Sequence, residues 1–239
     1  MLQRDLAHRL EQTSQLAETV RWADVARDMT AYNIANAETV AFKKTVPVFG
    51  ENGGLMCRRS FAPGELKLTG ARMDFAIDGP GFFEVQLPDG SRAYTRAGLF
   101  TTAANGQIVT ARGFPLVDLP PLPGGMITLS VASDGTVSCV AADGVTNFRF
   151  PLVIFAVPEG LDVNAEGLFV ATVASGNPEP VRPNDGRGGS LRQGYLELSN
   201  VQLTEEMARL ATLQTWKRSL MKALELRSND EFLPRTPIP

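Results

Sequence analysis

Residues 82–96 read Phe-Phe-Glu-Val-Gln-Leu-Pro-Asp-Gly-Ser-Arg-Ala-Tyr-Thr-Arg. Two segments rich in aromatic and β-branched residues, 82–87 and 91–96, flank the turn sequence Pro88-Asp-Gly90. An Asp-Gly pair supplies the positive φ that a tight hairpin turn requires. This stretch therefore predicts an antiparallel β-hairpin.

Two more stretches use the same device. Segments 99–104 and 107–110 flank Asn105-Gly106, and segments 127–131 and 136–140 flank Asp134-Gly135. Turn signals at short, regular spacing are typical of an antiparallel all-β domain. We predict such a domain over residues 73–190.

The ends of the chain differ from this middle. Residues 1–36 and 200–228 contain neither Gly nor Pro, although the chain has 22 Gly and 16 Pro. Because Gly and Pro break helices, this distribution predicts a helix at each end. The predicted fold class is mainly β with α-helical termini. The predicted divisions are an assembly helix (1–36), a corner and extended linker (37–72), an outer domain (73–190), and a second assembly helix with a frayed tail (191–239).

Each terminal helix carries a narrow apolar stripe whose successive positions are three or four residues apart. The first stripe consists of Leu2, Leu6, Leu10, Thr13, Leu16, Val20 and Ala23. The second consists of Leu203, Met207, Leu210, Leu213, Trp216, Leu220 and Leu224, and its average step is the coiled-coil period. The alternative is two ordinary amphipathic helices packed on their own domain. Long helices at both ends favour packing against each other or against neighbouring molecules.

Composition excludes several classes of partner. With 23 basic and 26 acidic residues and a net charge of −3, the chain offers no electrostatic attraction for nucleic acid or anionic membranes. The sequence has no signal-peptide pattern and no apolar run long enough to span a membrane. Cys57 and Cys139 are too few for a disulfide framework and are expected to be unpaired, with one isolated bridge as the alternative.

The sequence offers little chemistry. Its one histidine, His8, lies in the first helix without partners at ligand spacing, and neither cysteine belongs to a Cys-x-x-Cys pair. Acidic residues such as Asp74 and Asp78 sit beside turns, where they are common. We therefore predict no catalytic residue, no metal site and no cofactor.

Three segments resemble the flagellar rod and hook family, the axial proteins of the bacterial basal body. The first, Tyr32–Lys43, resembles the N-terminal signature of that family, with Ala41 where a Gly is usual. The second begins at Asp74 and the third at Gln193. The residues that carry the resemblance are Asn33, Ile34, Ala35, Asn36, Thr39, Phe42 and Lys43; Asp74, Ile77, Gly79, Gly81, Phe82 and Phe83; and Gln193, Gly194, Tyr195, Ser199, Asn200, Val201, Glu205, Glu206 and Met207.

The resemblance implies a structural subunit of the basal-body rod, located in the periplasm. It also implies export by the flagellar type III apparatus without a cleaved signal peptide. The expected partners are copies of the chain and other axial rod and hook proteins. The terminal helices are then expected to form the inner tubes of a shaft that transmits torque, with the β-domain outside. The short linker, residues 44–72, leans towards the proximal rod or a divergent paralogue.

Some local features depart from the family pattern. Gln202 stands where the family often has Asn, so Asn200 is the alternative cap of the second helix. Asn36 is expected to end the first helix, because Asn tolerates left-handed geometry.

We expect the terminal helices to become ordered on assembly, because isolated helices with narrow stripes are marginal in water. Two other classes of function stay open at this point. One is a β-rich binding or adhesion module with helical arms. The other is a glycan-acting enzyme that uses Asp74, Asp78 or Glu84.

Overall fold

The computed structural model describes residues 2–49, 54–142 and 144–231, with side chains described for 11–48, 54–142 and 144–227. The predicted fold class is confirmed: within these residues, seventeen strands lie between an N-terminal and a C-terminal helix. The chain divides into two compact units. One, here the helical unit, comprises Met1–Ala37, Thr45–Arg58 and Val201–Pro239; the other, here the β unit, comprises Glu38–Lys44 and Arg59–Asn200.

The helical unit contains two long helices and a β-hairpin. Helix α1 (Leu2–Ala35) and helix α2 (Leu203–Glu231) pack against each other, as expected for long segments free of Gly and Pro. Glu205 and Glu206 lie in the first turn of α2, where negative charge favours the helix dipole. The hairpin pairs strand β1 (Thr45–Phe49) with strand β2 (Leu55–Arg59), and β1 contacts α1.

The β unit contains the remaining strands, all short and paired antiparallel. These are β3 (Leu66–Leu68), β4 (Phe75–Asp78), β5 (Phe83–Gln86), β6 (Arg92–Thr95), β7 (Phe100–Thr102), β8 (Ile108–Thr110), β9 (Thr128–Val131), β10 (Thr136–Ala141), β11 (Gly144–Arg149), β12 (Leu152–Ile154), β13 (Asp162–Val163), β14 (Phe169–Val170), β15 (Glu179–Val181), β16 (Ser190–Gln193) and β17 (Tyr195–Glu197).

All three predicted hairpins are confirmed. Strand β5 pairs with β6, β7 with β8, and β9 with β10. The turn glycines Gly90, Gly106 and Gly135 have φ of 83°, 84° and 80°, the left-handed values that made them predictable. Local turn chemistry therefore fixes the register of each hairpin.

Among the pairings between segments that are far apart in sequence, two join the end of the β unit to its beginning. Strand β16 pairs with β4, so that Leu191 lies opposite Ile77, and β17 pairs with β3, so that Glu197 lies opposite Leu66. The end of the β unit therefore returns to its beginning.

The core of the β unit consists of two aromatic-rich clusters. The larger contains Phe75, Phe83 and Phe150. The ring centroid of Phe150 lies 5.3 Å from that of Phe75 and 5.6 Å from that of Phe83. The smaller packs Phe82 and Tyr94 around Phe155. Burial raises the pKa of Tyr94 to about 12. Such large buried rings account for much of the apolar surface that the unit removes from water.

The end of helix α1 differs in one detail from the expectation. The helix ends at Ala35, directly before Asn36, but the left-handed residue that follows is Ala41 (φ 57°) rather than Asn36. Ala41 is the position where the family usually has Gly, which adopts this conformation without steric cost. The region expected to be a corner and extended linker also contains strands β1, β2 and β3.

Other features concern the cysteines and the termini. Cys57 is exposed, Cys139 is buried, and neither forms a disulfide bond. No helix within the described residues is both long and apolar enough to cross a membrane. The side chains of His8, Leu6 and Leu10, and the tail predicted to be frayed, lie outside the described residues.

Candidate functional site

The contact between the two terminal helices is built from small and polar side chains. On α1, Ala23, Ala26, Thr30 and Asn33 are buried, at a spacing of three or four residues. This is the period of one side of a coiled-coil helix. The buried positions of α1 thus carry short side chains rather than the large apolar ones of the stripe.

Asn33 and Glu206 form a buried polar contact in this interface. Asn33 Nδ2 donates to Glu206 Oε2 (3.3 Å) and to the carbonyl of Thr45 (2.8 Å). Asn33 Oδ1 accepts a hydrogen bond from Thr45 N (3.0 Å). One family residue thus links α1, α2 and the start of β1. Buried polar groups that are bonded in this way specify the register of a helix pair.

A second polar contact lies further along the pair. Lys217 Nζ on α2 donates to Asp24 Oδ1 on α1 at 2.6 Å. This hydrogen bond holds the pKa of Asp24 below its ordinary value. Because both side chains are about one-third exposed, the pair contributes more to register than to stability.

The predicted apolar stripe is only partly covered. The half-buried stripe positions are Leu16, Val20, Leu210, Leu213, Trp216, Leu220 and Leu224. Leu203 is 44% exposed, and the family residue Met207 is 54% exposed. Val25, Tyr32, Met221 and Leu226 add further exposed apolar surface to these helices. The helix pair therefore leaves apolar surface that a single partner helix does not bury.

In the β unit, the family residues converge on a buried carboxylate. Glu197 Oε1 accepts from Lys43 Nζ (2.7 Å) and from Gly64 N (2.9 Å), and Glu197 Oε2 accepts from Arg96 Nε (2.7 Å). The side chains of Lys43 and Glu197 are fully buried, and that of Arg96 is 5% exposed. We call Lys43, Arg96, Glu197 and Asn200 the Glu197 clamp.

The charges of the clamp perturb one another. Burial lowers the pKa of the Lys43 ammonium, and the attraction of Glu197 only partly opposes it. Burial raises the pKa of Glu197, but Arg96 and Lys43 outweigh burial, so its net pKa lies below the ordinary value. Two cations thus share one carboxylate away from water. Such an arrangement is costly unless hydrogen bonds satisfy the remaining donors.

Backbone carbonyls satisfy those donors. Lys43 Nζ donates to the carbonyl of Ala62 at 2.8 Å. Arg96 Nη1 donates to the carbonyls of Gly79 (2.8 Å) and Gly81 (2.7 Å), and its Nη2 donates to that of Ile77 (2.9 Å). The two glycines have φ of 118° and 136°, which allows both carbonyls to converge on one guanidinium.

Asn200 ties three segments of the β unit together. Its Oδ1 accepts from Lys44 N (2.7 Å), while its Nδ2 donates to the carbonyls of Ser60 (2.8 Å) and Ala62 (3.0 Å). The expectation that Asn200 caps α2 is therefore wrong, since its side chain is used elsewhere.

The other residues that carry the family resemblance are spread over the fold. Gly194 N donates to the carbonyl of Asp74 at 2.8 Å, and the Gln193 side chain bonds the backbone of Val131, Leu129 and Arg72. Phe82 and Phe83 belong to the two core clusters. Buried or half-buried positions are Ile34, Asn36, Phe42, Tyr195, Ser199 and Val201; exposed positions are Ala35, Thr39 and Glu205.

Glu197 and Arg96 were not among the predicted site residues. Both lie inside the segments that resemble the family, but neither has a charged neighbour in sequence that reveals the pairing. The available signal was the position of Glu197 between Leu196 and Leu198 in a strand. A carboxylate in an apolar strand needs a buried partner.

The carboxylates considered for glycan chemistry are engaged in other contacts. Asp74 accepts from Thr69 Oγ1 (2.6 Å), Asp78 pairs with Arg192 (3.0 Å), and Glu84 pairs with Arg92 (2.9 Å). Within the part of the chain that the structure describes, no group of three or more His, Cys, Asp or Glu side chains could hold a metal ion. The arrangement supports structural roles for these residues.

Sequence comparisons agree with this distribution of motifs. The family profile "Flagellar hook protein FlgE/F/G D1 domain" matches residues 76–139, and "Flagellar basal body rod FlgEFG protein C-terminal" matches residues 192–215. The chain is 33% identical to the flagellar basal-body rod protein FlgG of Buchnera aphidicola subsp. Schizaphis graminum, over 85% of this chain and 89% of that protein.

Two further relatives extend the comparison. The chain is 31% identical to the FlgG of Bacillus subtilis (86% of this chain, 90% of that protein). It is 34% identical to the flagellar basal-body rod protein FlgF of Caulobacter vibrioides (83% of this chain, 85% of that protein). These alignments cover most of the chain, and the second family profile reaches into the first part of α2.

Proposed function

Because the chain belongs to the family of flagellar basal-body rod proteins, we propose that it polymerises through its terminal helices into a shaft that transmits torque. Family membership makes it a structural subunit of the flagellar basal body that assembles with other axial proteins. Polymerisation and torque transmission go beyond family membership and are the content of the proposal. The observation that carries them is the apolar surface left on the helix pair.

That surface is large enough to drive association. Leu203, Met207 and Leu226 on α2 are 44%, 54% and 62% exposed. Fully burying one such side chain contributes about 1.5–3 kcal/mol. Several such residues per helix, covered by neighbouring molecules, can offset the loss of backbone freedom. Contacts between non-equivalent surfaces, repeated by rotation and rise, build a tube rather than a closed dimer.

The proposal includes where the chain acts and what it contacts. It is exported by the flagellar type III apparatus without a cleaved signal peptide and forms part of the periplasmic rod. It neither binds nucleic acid nor inserts into a membrane, and it acts without catalysis. The near balance of basic and acidic residues supports the absence of a polyanionic partner.

Charge substitutions on the exposed stripe test polymerisation. Met207→Lys and Leu226→Lys place an ammonium where a neighbour must bury an apolar side chain, so we expect the variants to be absent from purified basal bodies and the cells to be non-motile. The matched control is Val173→Lys, because Val173 is fully exposed in the β unit. Normal incorporation of both stripe variants would contradict the proposal.

Ordering on assembly needs a separate measurement. We expect circular dichroism of the soluble monomer to show less helix than α1 and α2 provide, with the signal increasing on polymerisation. A monomer that already has its full helix content, and keeps it on heating, would count against coupled ordering but not against polymerisation.

A further inference from the structure

The chain passes between the two units close to the Glu197 clamp. From α1 it enters the β unit at Glu38, leaves after Lys44 towards β1, and re-enters at Arg59, the last residue of β2. It leaves again after Asn200 towards α2. Within the β unit, the backbone at these passages is mutually hydrogen-bonded: Ser60 N donates to the carbonyl of Lys44 at 2.8 Å, and Asn200 N donates to that of Phe42 at 3.2 Å. The passages are therefore held together from within the β unit.

The clamp residues supply the side-chain part of this arrangement. Asn200 bonds the backbone at Lys44 and Ser60, and Glu197 bonds Gly64 N and Lys43. The backbone carbonyl of Glu197 also accepts from Ala41 N at 2.8 Å. Arg96 anchors the same carboxylate to the turn at Gly79 and Gly81.

We infer that Glu197 and Asn200 are positioning residues: they fix the spacing of the chain passages that lead from the β unit to the β1–β2 hairpin and to assembly helix α2. This inference rests on the proposed function, because a fixed spacing matters only if the helices assemble. A buried ion cluster is poorly suited to raising stability, since desolvation offsets most of its attraction. It is well suited to specifying one geometry, because each donor and acceptor fits a single arrangement.

The test substitutes Glu197→Gln, which keeps the shape of the side chain and removes the charge that Lys43 and Arg96 share. We expect amide hydrogen exchange at Ala41, Lys44 and Gly64 to accelerate by about tenfold or more, because their acceptors become mobile. The amides of β10, in the core of the β unit, should accelerate by a clearly smaller factor than the amides at the clamp. The full-length variant should remain soluble but be lost from purified basal bodies.

Two further variants make the experiment decisive. Lys43→Met serves if Glu197→Gln does not fold, because it leaves Arg96 and Glu197 as a pair of opposite charges and should preserve the fold of the β unit. Exchange at Ala41 and Lys44 should still accelerate in this variant. The matched control is Glu179→Gln, which removes an exposed carboxylate that pairs with Arg187 at 3.5 Å and should change neither readout.

The outcomes separate the inference from the proposed function. Equal acceleration at the clamp and in β10 would show a loss of global stability alone and overturn the positioning role. Unchanged exchange at the clamp, or normal incorporation of a variant whose clamp has opened, would also overturn it. If the wild-type chain were absent from basal bodies, the proposed function would fail while the exchange pattern still decided whether the clamp exists.

Discussion

The two units bury different kinds of side chain. The β unit buries large aromatic and aliphatic groups such as Phe75, Phe83 and Leu152. Among the side chains described for α1 and α2, the buried ones are small or polar: Ala23, Ala26, Thr30, Asn33 and Glu206. The β unit thus buries its large apolar residues in its own core. The helical unit holds many of its apolar residues at a surface that is available to other molecules.

The largest expected effect on stability comes from a substitution in the core of the β unit, and it tests whether the two units unfold separately. Phe83 is fully buried, so Phe83→Ala should lower the free energy of unfolding of the β unit by about 3–5 kcal/mol. Differential scanning calorimetry should show one transition move to lower temperature. The two tryptophans of the chain, Trp22 and Trp216, both lie on the helices, so their fluorescence should follow a separate transition that does not move. If fluorescence shifted equally, the units would unfold as one body and the comparison would fail.

A smaller effect is expected at the polar contact between the helices. Asn33→Ala removes donors and an acceptor that serve Thr45 and Glu206, and unbonded buried polar groups cost about 1–3 kcal/mol. Urea unfolding followed by tryptophan fluorescence should show the loss. Thr215→Ala is the control: its hydroxyl bonds the carbonyl of Ala211 at an exposed site, so its effect should stay within about 0.5 kcal/mol. Equal effects of the two substitutions would remove any special role for Asn33.

Acid should weaken the β unit through the Glu197 clamp. The folded-state pKa of Glu197 lies below its ordinary value of 4.5, so the carboxylate contributes stability that is fully present above that value. The contribution is lost as the pH falls through the depressed folded-state pKa. The contribution of Lys43 to stability has the opposite sign. Its folded-state pKa lies below the ordinary pKa of 10.5, so at pH values below 10.5 the buried ammonium lowers stability.

Thermal unfolding of the wild type and of Glu197→Gln measures this acid contribution. The difference between their melting temperatures should shrink as the pH falls below 4.5. A difference that stays constant across this range would show that the charge of Glu197 contributes nothing. Asp24 is a poor alternative source of the effect because it is one-third exposed.

The parts of the fold that could be predicted from sequence depend on local physics. Gly90, Gly106 and Gly135 mark hairpins because each is the last residue of a three-residue turn, a position that demands positive φ whatever surrounds it. The helices were predictable because long segments lack Gly and Pro. Residue types and spacing within a few positions carry both signals.

The parts that could not be predicted depend on contacts between distant segments. Glu197 meets Arg96 and Lys43 across 101 and 154 residues of sequence, and nothing in the residues around these partners marks the contacts. The same reason explains the wrong assignment of Asn200: its sequence context suits a helix cap, but tertiary contacts recruit its amide. On the helices, the spacing of the apolar residues is visible in the sequence. The sequence does not show that small residues such as Ala23 and Ala26 are the buried ones.

The smallest effect on the isolated chain is expected at an exposed apolar residue of α2. Leu226 is 62% exposed, and Leu and Ala have similar helix propensity, so Leu226→Ala should change the free energy of unfolding by less than about 0.5 kcal/mol. The same substitution should lower incorporation into basal bodies, because the removed side chain is one that a neighbouring molecule is proposed to cover. Urea unfolding of the soluble chain and quantification of the chain in purified basal bodies together measure the contrast. A Leu226→Ala variant that loses stability as a monomer would mean that the helical unit uses its apolar residues internally, as the β unit does.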